Sequence, residues 1–199
     1  MDASGAYCHN PNGVSYQRPE ARGIGSVTGS PTSFWVEVLT EKDWPRLRDI
    51  RLSALRGFPE GFLASHDREA AYGEEHWRGE FSRGEWNIML ADDLDVGLLG
   101  VTRLPDMSSQ ECYLEYLWVA PWVRRRGVAS MLLRRVLDRL RDAGVHTVWL
   151  YILDGNDPAR RLYQRFGFQS TNERQPLPGH PAGNEEKMRL RLSSPQSLC

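Results

Sequence analysis

The stretch VAPWVRRRGVASMLL (Val119 to Leu133) narrows the fold more than any other. An apolar run stops at Pro121, three arginines and Gly127 follow, and an amphipathic helix pattern begins. Leu132, Leu133, Val136, Leu137 and Leu140 share one face, which predicts a helix over Ser130–Ala143 stopped by Gly144. The run before the turn, Glu111–Val119, predicts a strand, and Thr147–Leu153 predicts another beyond the helix. Strands joined through a helix pair in parallel by a right-handed crossover. The turn itself has a chemical meaning. The first amides of a helix lack internal partners and carry the positive end of its dipole. Gly127 has no side chain and Ala129 almost none, so an anion can approach the backbone. Residues Arg124–Ser130 are therefore either a phosphate cradle of main-chain N–H groups or a plain tight turn with solvated arginines. The patterns G-x-x-x-x-G-K and G-x-G-x-x-G are both absent, which argues against a P-loop and against nicotinamide binding.

The remaining chain supplies a mixed sheet. Residues 1–33 are rich in Gly, Ser, Pro and Asn and are expected to form a disordered tail. Order is expected from the strand Phe34–Thr40. Thr40 to Asp43 spells a capping box, and Trp44, Leu47, Ile50, Ala54, Leu55 and Phe58 then recur at helical spacing. A helix is predicted over Asp43–Arg56, ended by Gly57, Pro59 and Gly61. A weaker one is predicted over Glu69–Phe81. Trp86–Asp93 and Val96–Pro105 read as a hairpin across an acidic turn. Asp157–Phe166 reads as a short helix with Pro158 in its first turn, stopped by Gly167. A Pro/Gly-rich loop, Gln175–Gly183, then leads to a last strand in which Met188, Leu190 and Leu192 alternate. The predicted class is α/β of the α+β type: one mixed, mainly antiparallel sheet flanked by helices, over residues 34–192, with a short tail at 193–199.

Composition excludes more than it suggests. The formal net charge is -1, which gives no global reason for nucleic acid or a membrane surface. The N-terminus shows no export signal, and no apolar run is long enough for a membrane span. Three cysteines, Cys8, Cys112 and Cys199, form no disulfide framework, so a cytoplasmic location is the expectation. The five histidines show no metal-ligand spacing, and no metal is expected.

Beyond the turn, NDPARRLYQRFGF (Asn156 to Phe168) follows the next strand. Together, V-x-P-x-x-R-x-x-G-x-A and N-x-x-A-x-x-L-Y-x-x-x-G-F resemble the GNAT superfamily of N-acetyltransferases. Arg124, Arg125, Arg126, Gly127, Val128 and Ala129 match that family's pyrophosphate-binding signature, with Ala129 where many members have glycine. The resemblance spans about Phe34 to Leu192. It implies acetyl-CoA as co-substrate, held at Arg124–Ser130 and between two splayed strands, here Glu111–Val119 and Thr147–Leu153. It implies that backbone groups of Trp118 and Val119 pair with the pantetheine arm, that the Val119 N–H faces the thioester carbonyl, and that Asn156 contacts the cofactor. It implies that Tyr163 lies near the sulfur and protonates the leaving thiolate; the alternative for Tyr163 is aromatic packing.

Glu115 is a lone carboxylate in an apolar strand, where burial raises a pKa towards that of a useful base. GNAT enzymes often use a strand glutamate to deprotonate the amine, although their usual position falls two residues earlier, at Tyr113 here. An arginine partner is the equal alternative for Glu115. Trp118 and Trp149 are expected in the core, and Arg134, Arg135, Arg139 and Arg141 on a solvated helix face. Phe34 to Glu115 holds 17 acidic and 9 basic residues, and Tyr116 to Leu192 holds 7 and 14. That split suits a polyphosphate cofactor in the second half and a cationic amine in the first. The resemblance implies acetyl transfer to a primary amine, on a small molecule or a peptide, and leaves a homodimer open. A module that binds acetyl-CoA without turnover is the rival. A nucleic-acid binder is disfavoured by the net charge of -1.

Overall fold

In a computed structural model of the chain, residues 33–57, 65–177 and 180–193 are described, together with the paired two-residue strands Cys8–His9 and Ser15–Tyr16. The rest of the expected N-terminal tail, the helix breakers Pro59 and Gly61, and residues 194–199 lie outside the described residues. Seven strands form one sheet: β1 (Phe34–Val38), β2 (Gly84–Ala91), β3 (Leu94–Thr102), β4 (Glu111–Val119), β5 (Thr147–Leu153), β6 (Gln169–Leu177) and β7 (His180–Arg191). Their order is β1-β2-β3-β4-β5-β7-β6, and only β4–β5 pairs in parallel. The helices are α1 (Trp44–Gly57), α2 (His66–Ala70), α3 (Glu74–Arg83), α4 (Val128–Asp142) and α5 (Asp157–Arg165).

The capping box forms at Thr40, whose N–H and hydroxyl both donate to the Asp43 carboxylate, at 3.0 and 2.7 Å. It caps a single 3-10 turn, Glu41–Asp43, so α1 starts one residue later than its spacing predicts. The predicted helix over Glu69–Phe81 is instead two helices, broken before Gly73, which caps α3. Helix α4 begins at Val128, two residues earlier than its stripe indicates, and buries Leu132, Leu133 and Val136 completely against the sheet.

Two expectations need correction. The expected loop Gln175–Gly183 is largely strand: Gln175–Leu177 end β6, the polar segment QSTNERQPL, and β7 already starts at His180. Strand β6 lies at the sheet edge with mostly exposed side chains, so no apolar alternation marks it. Arg139 does not belong to a solvated face. Its guanidinium donates to the Glu85 carboxylate and, at 2.7 Å, to Oδ1 of Asn87. Asn87 is fully buried in β2, and its amide also donates to the Leu99 carbonyl at 3.3 Å. A buried amide with both ends satisfied ties α4 to β2 and β3 of the sheet.

Leu132 is fully buried on the sheet-facing side of α4. Leu132→Ala is expected to lower unfolding free energy by about 2–5 kcal/mol, through lost burial and the cavity left behind. Urea unfolding with an unchanged denaturant slope checks it.

Candidate active site

The site starts from a defect in a ladder. Strand β3 pairs Leu98 with Trp118 and Gly100 with Glu115, so Tyr116 and Leu117 together oppose Leu99. Tyr116 takes up this bulge with a φ of 62°, a left-handed conformation that is unfavourable for an aromatic residue. Its ring is sandwiched. Trp86 stacks on one side with ring centroids 5.4 Å apart, and the Arg51 guanidinium carbon lies 4.1 Å from the ring centre. Arg51 is buried and held by Glu69 through two hydrogen bonds, at 3.0 and 2.9 Å. The Trp86 indole N–H donates to the Glu80 carbonyl at 3.3 Å, which fixes the second ring. Gly100 makes the stack possible, because a Cβ there would meet Trp86 at 3.2 Å and Tyr116 at 3.3 Å.

The bulge turns the end of β4 away from β5. The parallel ladder holds only Glu111↔Thr147, Cys112↔Val148 and Tyr113↔Trp149. Beyond it β5 stays paired with β7 as far as Leu153↔Glu185, while β4 stays with β3 as far as Gly97↔Val119. The two strands therefore splay. Ala120 donates to the Val96 carbonyl at 2.8 Å, so Ala120 and Trp118 aim their backbone groups at β3. Alternation turns the N–H and C=O of Val119 towards the gap. Consecutive residues cannot both face it, which corrects the expectation that Trp118 pairs there alongside Val119. The Val119 carbonyl accepts from Nε of Arg124 at 2.8 Å.

A cavity of about 480 Å³ opens on the α1–α3 side of the splayed strands, lined in part by Tyr113, Glu115, Tyr116 and Tyr151. Burial raises the Glu115 carboxyl above the ordinary range, partly offset by the Thr102 hydroxyl. Among the described residues Glu115 has no ion-pair partner within 4.0 Å, so the arginine-paired alternative is not what the structure holds. Tyr113 and Tyr151 stack across the mouth of the gap, 5.9 Å apart and nearly parallel at 6°.

On the far side of the gap, Gly127 caps α4 with φ 78° and ψ 2°. A Cβ there would meet nothing within 4 Å, so the space above the turn is open. The first intrahelical bond runs from Met131 N–H to the Gly127 carbonyl at 2.9 Å, leaving the amides of Val128, Ala129 and Ser130 without intrahelical acceptors. Arg125 and Arg126 are exposed on the same turn, whereas Arg124 fastens it to the end of β4. An anion of pyrophosphate type fits this combination of open space, amides and guanidinium groups.

The other predicted residues stand apart from the cavity. Tyr163 is buried in α5 and meets Phe168 edge-on at 5.5 Å. Burial alone pushes its hydroxyl well above the ordinary phenol range. Asn156 caps α5, its Oδ1 accepting from Ala159 N–H at 3.3 Å. Trp118 is core as expected, but Trp149 is half-buried and its indole donates to Glu111 at 2.8 Å. The sequence alone did not point to Arg51, Glu69, Trp86, Tyr116, Tyr151 or Glu185. One signal was present: Arg51 is four residues from Leu47 and three from Ala54, on the apolar stripe of α1.

A mixed sheet split at a bulge, with open helix-start amides on the following helix, defines the class. The profile of the Acetyltransferase (GNAT) family matches residues 44–168, and the chain belongs to that family. The streptothricin acetyltransferase of Streptomyces lavendulae is 35% identical over 75% of this chain and 76% of its own length. A mycothiol acetyltransferase of Brachybacterium faecium is 30% identical over 60% of this chain, which spans only 36% of that relative's length. A Salmonella typhimurium structure solved with its cofactor acetyl-CoA superposes with a TM-score of 0.62 at 14% identity, covering 84% of this chain and all of that one, and shares the fold.

Gly127→Glu places a carboxylate over the amides, and the expected outcome is loss of acetyl-CoA binding by more than about 100-fold. Gly127→Ala separates charge from backbone strain: its methyl meets open space but keeps the unfavourable φ, costing about 1–2 kcal/mol of stability. Calorimetric titration of both variants checks the pair, and equal affinities would remove the phosphate assignment.

Proposed function

We propose that the protein is an acetyl-CoA-dependent N-acetyltransferase that acetylates a primary amine by direct attack within a ternary complex. The observation that carries this is the splayed strand pair with an anion cradle on one side and a carboxylate-bearing cavity on the other. Acetyl-CoA supplies the activated acetyl thioester. The first turn of α4, with Arg125, Arg126, Gly127, Val128, Ala129 and Ser130, would hold its pyrophosphate, and the gap beside Val119 would take the pantetheine arm.

The amine must reach the thioester neutral, yet an alkyl amine has a pKa near 10.4. Glu115, desolvated in the cavity wall, accepts the proton, directly or through water. The amine nitrogen bonds to the carbonyl carbon as the carbon–sulfur bond breaks. The Val119 N–H donates to the carbonyl oxygen as it gains charge. Tyr163, kept protonated by burial, gives its proton to the departing thiolate, and the second proton shed by the cationic nitrogen after attack restores the phenol through water. A covalent route through an acetylated cysteine finds no support in Cys112, whose buried thiol is pushed up to about 11 and stays protonated.

The test of turnover is release of coenzyme A with a panel of amines, which separates an enzyme from a module that only binds acetyl-CoA. Within it, Tyr163→Phe is expected to lower kcat by about 100-fold with an unchanged acetyl-CoA dissociation constant. A variant with wild-type kcat returns Tyr163 to the packing role against Phe168.

Glu115→Gln is expected to remove the acidic limb from the pH profile of kcat/KM. The same change has a stability signature. A carboxyl whose folded pKa exceeds its unfolded pKa binds protons more tightly when folded, so its presence costs stability as pH rises through that range. Glu115→Gln should therefore raise Tm at neutral pH, with the gain vanishing near about pH 4. A lower Tm at neutral pH would mean that the carboxylate is a structural partner.

A further inference from the structure

The charges lining the cavity are unevenly spent. Arg51 and Glu69 neutralise each other, and Glu80 meets Arg83 at 3.2 Å and His76 at 3.9 Å. Arg68 is exposed on α2. Two carboxylates remain on the sheet side, Glu115 of β4 and Glu185 of β7, and neither has an ion-pair partner within 4.0 Å among the described residues. The polar contact of Glu185 is with the neutral side-chain amide of Gln175, at 2.5 Å. The nearby Lys187 meets Glu173 at 3.2 Å and lies over the Trp149 ring at 4.6 Å, and its charge also reaches the Tyr113 and Tyr151 hydroxyls.

The two carboxylates flank an aromatic bridge. Glu115 shares a strand face with Tyr113, Tyr113 stacks on Tyr151, and Glu185 lines the same cavity as Tyr151. Glu185 stands one strand beyond β5, opposite Leu153, and β5 itself diverges from β4. At about 4.8 Å per strand spacing, the backbones that carry the two carboxylates are at least about 10 Å apart. That separation suits two ammonium groups, one at each carboxylate, with the apolar stem between them lying on the tyrosine faces, which also attract cations.

We propose that the acceptor is a dication. One amine, beside Glu115, is acetylated as above, and a second, unreactive ammonium group is held by Glu185 at the far end of the Tyr113–Tyr151 pair. Glu185 is then a specificity residue. The inference rests on the cavity being the acceptor site.

The experiment compares cadaverine with n-pentylamine, which has the same stem and one charge fewer. The expected kcat/KM for cadaverine is at least about tenfold higher, the contact at stake being a charge-assisted hydrogen bond in a partly desolvated site. Glu185→Gln is expected to bring the ratio close to one. Absence of a cadaverine preference, in turnover or in calorimetric binding to the protein loaded with coenzyme A, overturns the proposal. A preference that survives in Glu185→Gln, while Glu115→Gln is impaired, overturns the role of Glu185 and leaves the acceptor site standing. Amine acetylation that neither substitution changes overturns both, because the acceptor then binds elsewhere.

Discussion

Everything at the site depends on one residue held in an unfavourable backbone conformation. If Tyr116 were extended, β4 would keep its register with β3 and could continue its parallel ladder with β5 past Tyr113. The gap beside Val119 would close. A left-handed non-glycine residue costs about 1–3 kcal/mol and persists only where its surroundings over-determine it. Here the surroundings are explicit. Trp86 and Arg51 sandwich the ring, Glu69 fixes Arg51, the Glu80 carbonyl fixes Trp86, and Gly100 leaves room for the stack. Aromatic stacking and cation–π contact contribute about 0.5–1.5 kcal/mol each beyond burial, enough together to offset the strain.

The fold also separates two electrostatic tasks. The open amides and arginines of the α4 turn suit an anion, and the cavity on the α1–α3 side offers carboxylates. The acidic-then-basic division along the chain is visible in space, because β4 is where one part gives way to the other. The division is not complete. Glu185 belongs to the basic half of the sequence, yet β7 crosses back next to β5 and brings it to the cavity wall. Charge counting along a chain cannot anticipate such a return.

Legibility followed the period of the pattern. The α4 stripe and the alternating Met188, Leu190 and Leu192 each repeat with one face buried; α4 was placed to within two residues, whereas the last strand starts at His180, well before its alternation. The turn before α4 was legible because it lies between two such elements, and Gly127 caps that helix with a left-handed φ of 78°. Strand β6 was not, since an exposed polar edge carries no burial signal. Nor was the bulge. It adds one residue to a strand, and nothing local in CYLEYLWV says which residue lies outside the ladder. Arg51 was half legible: a charge on an apolar stripe demands a buried partner, but Glu69 lies beyond the end of α1, on another helix.

The clamp has a consequence for how two substrates meet. Arg51, Glu69, Trp86 and Tyr116 all line the cavity, and together they hold the bulge that opens the gap beside Val119. The cavity and the gap beside Val119 therefore share a wall whose position is set by one stack. A ligand that tightens the stack favours the splayed geometry, and by linkage an open slot favours the ligand. Such mutual support suits a reaction in which both substrates are bound at once. A sequential exchange through an acylated side chain would gain nothing from it. It would also need a reactive nucleophile at the gap, and the buried, protonated Cys112 is not one.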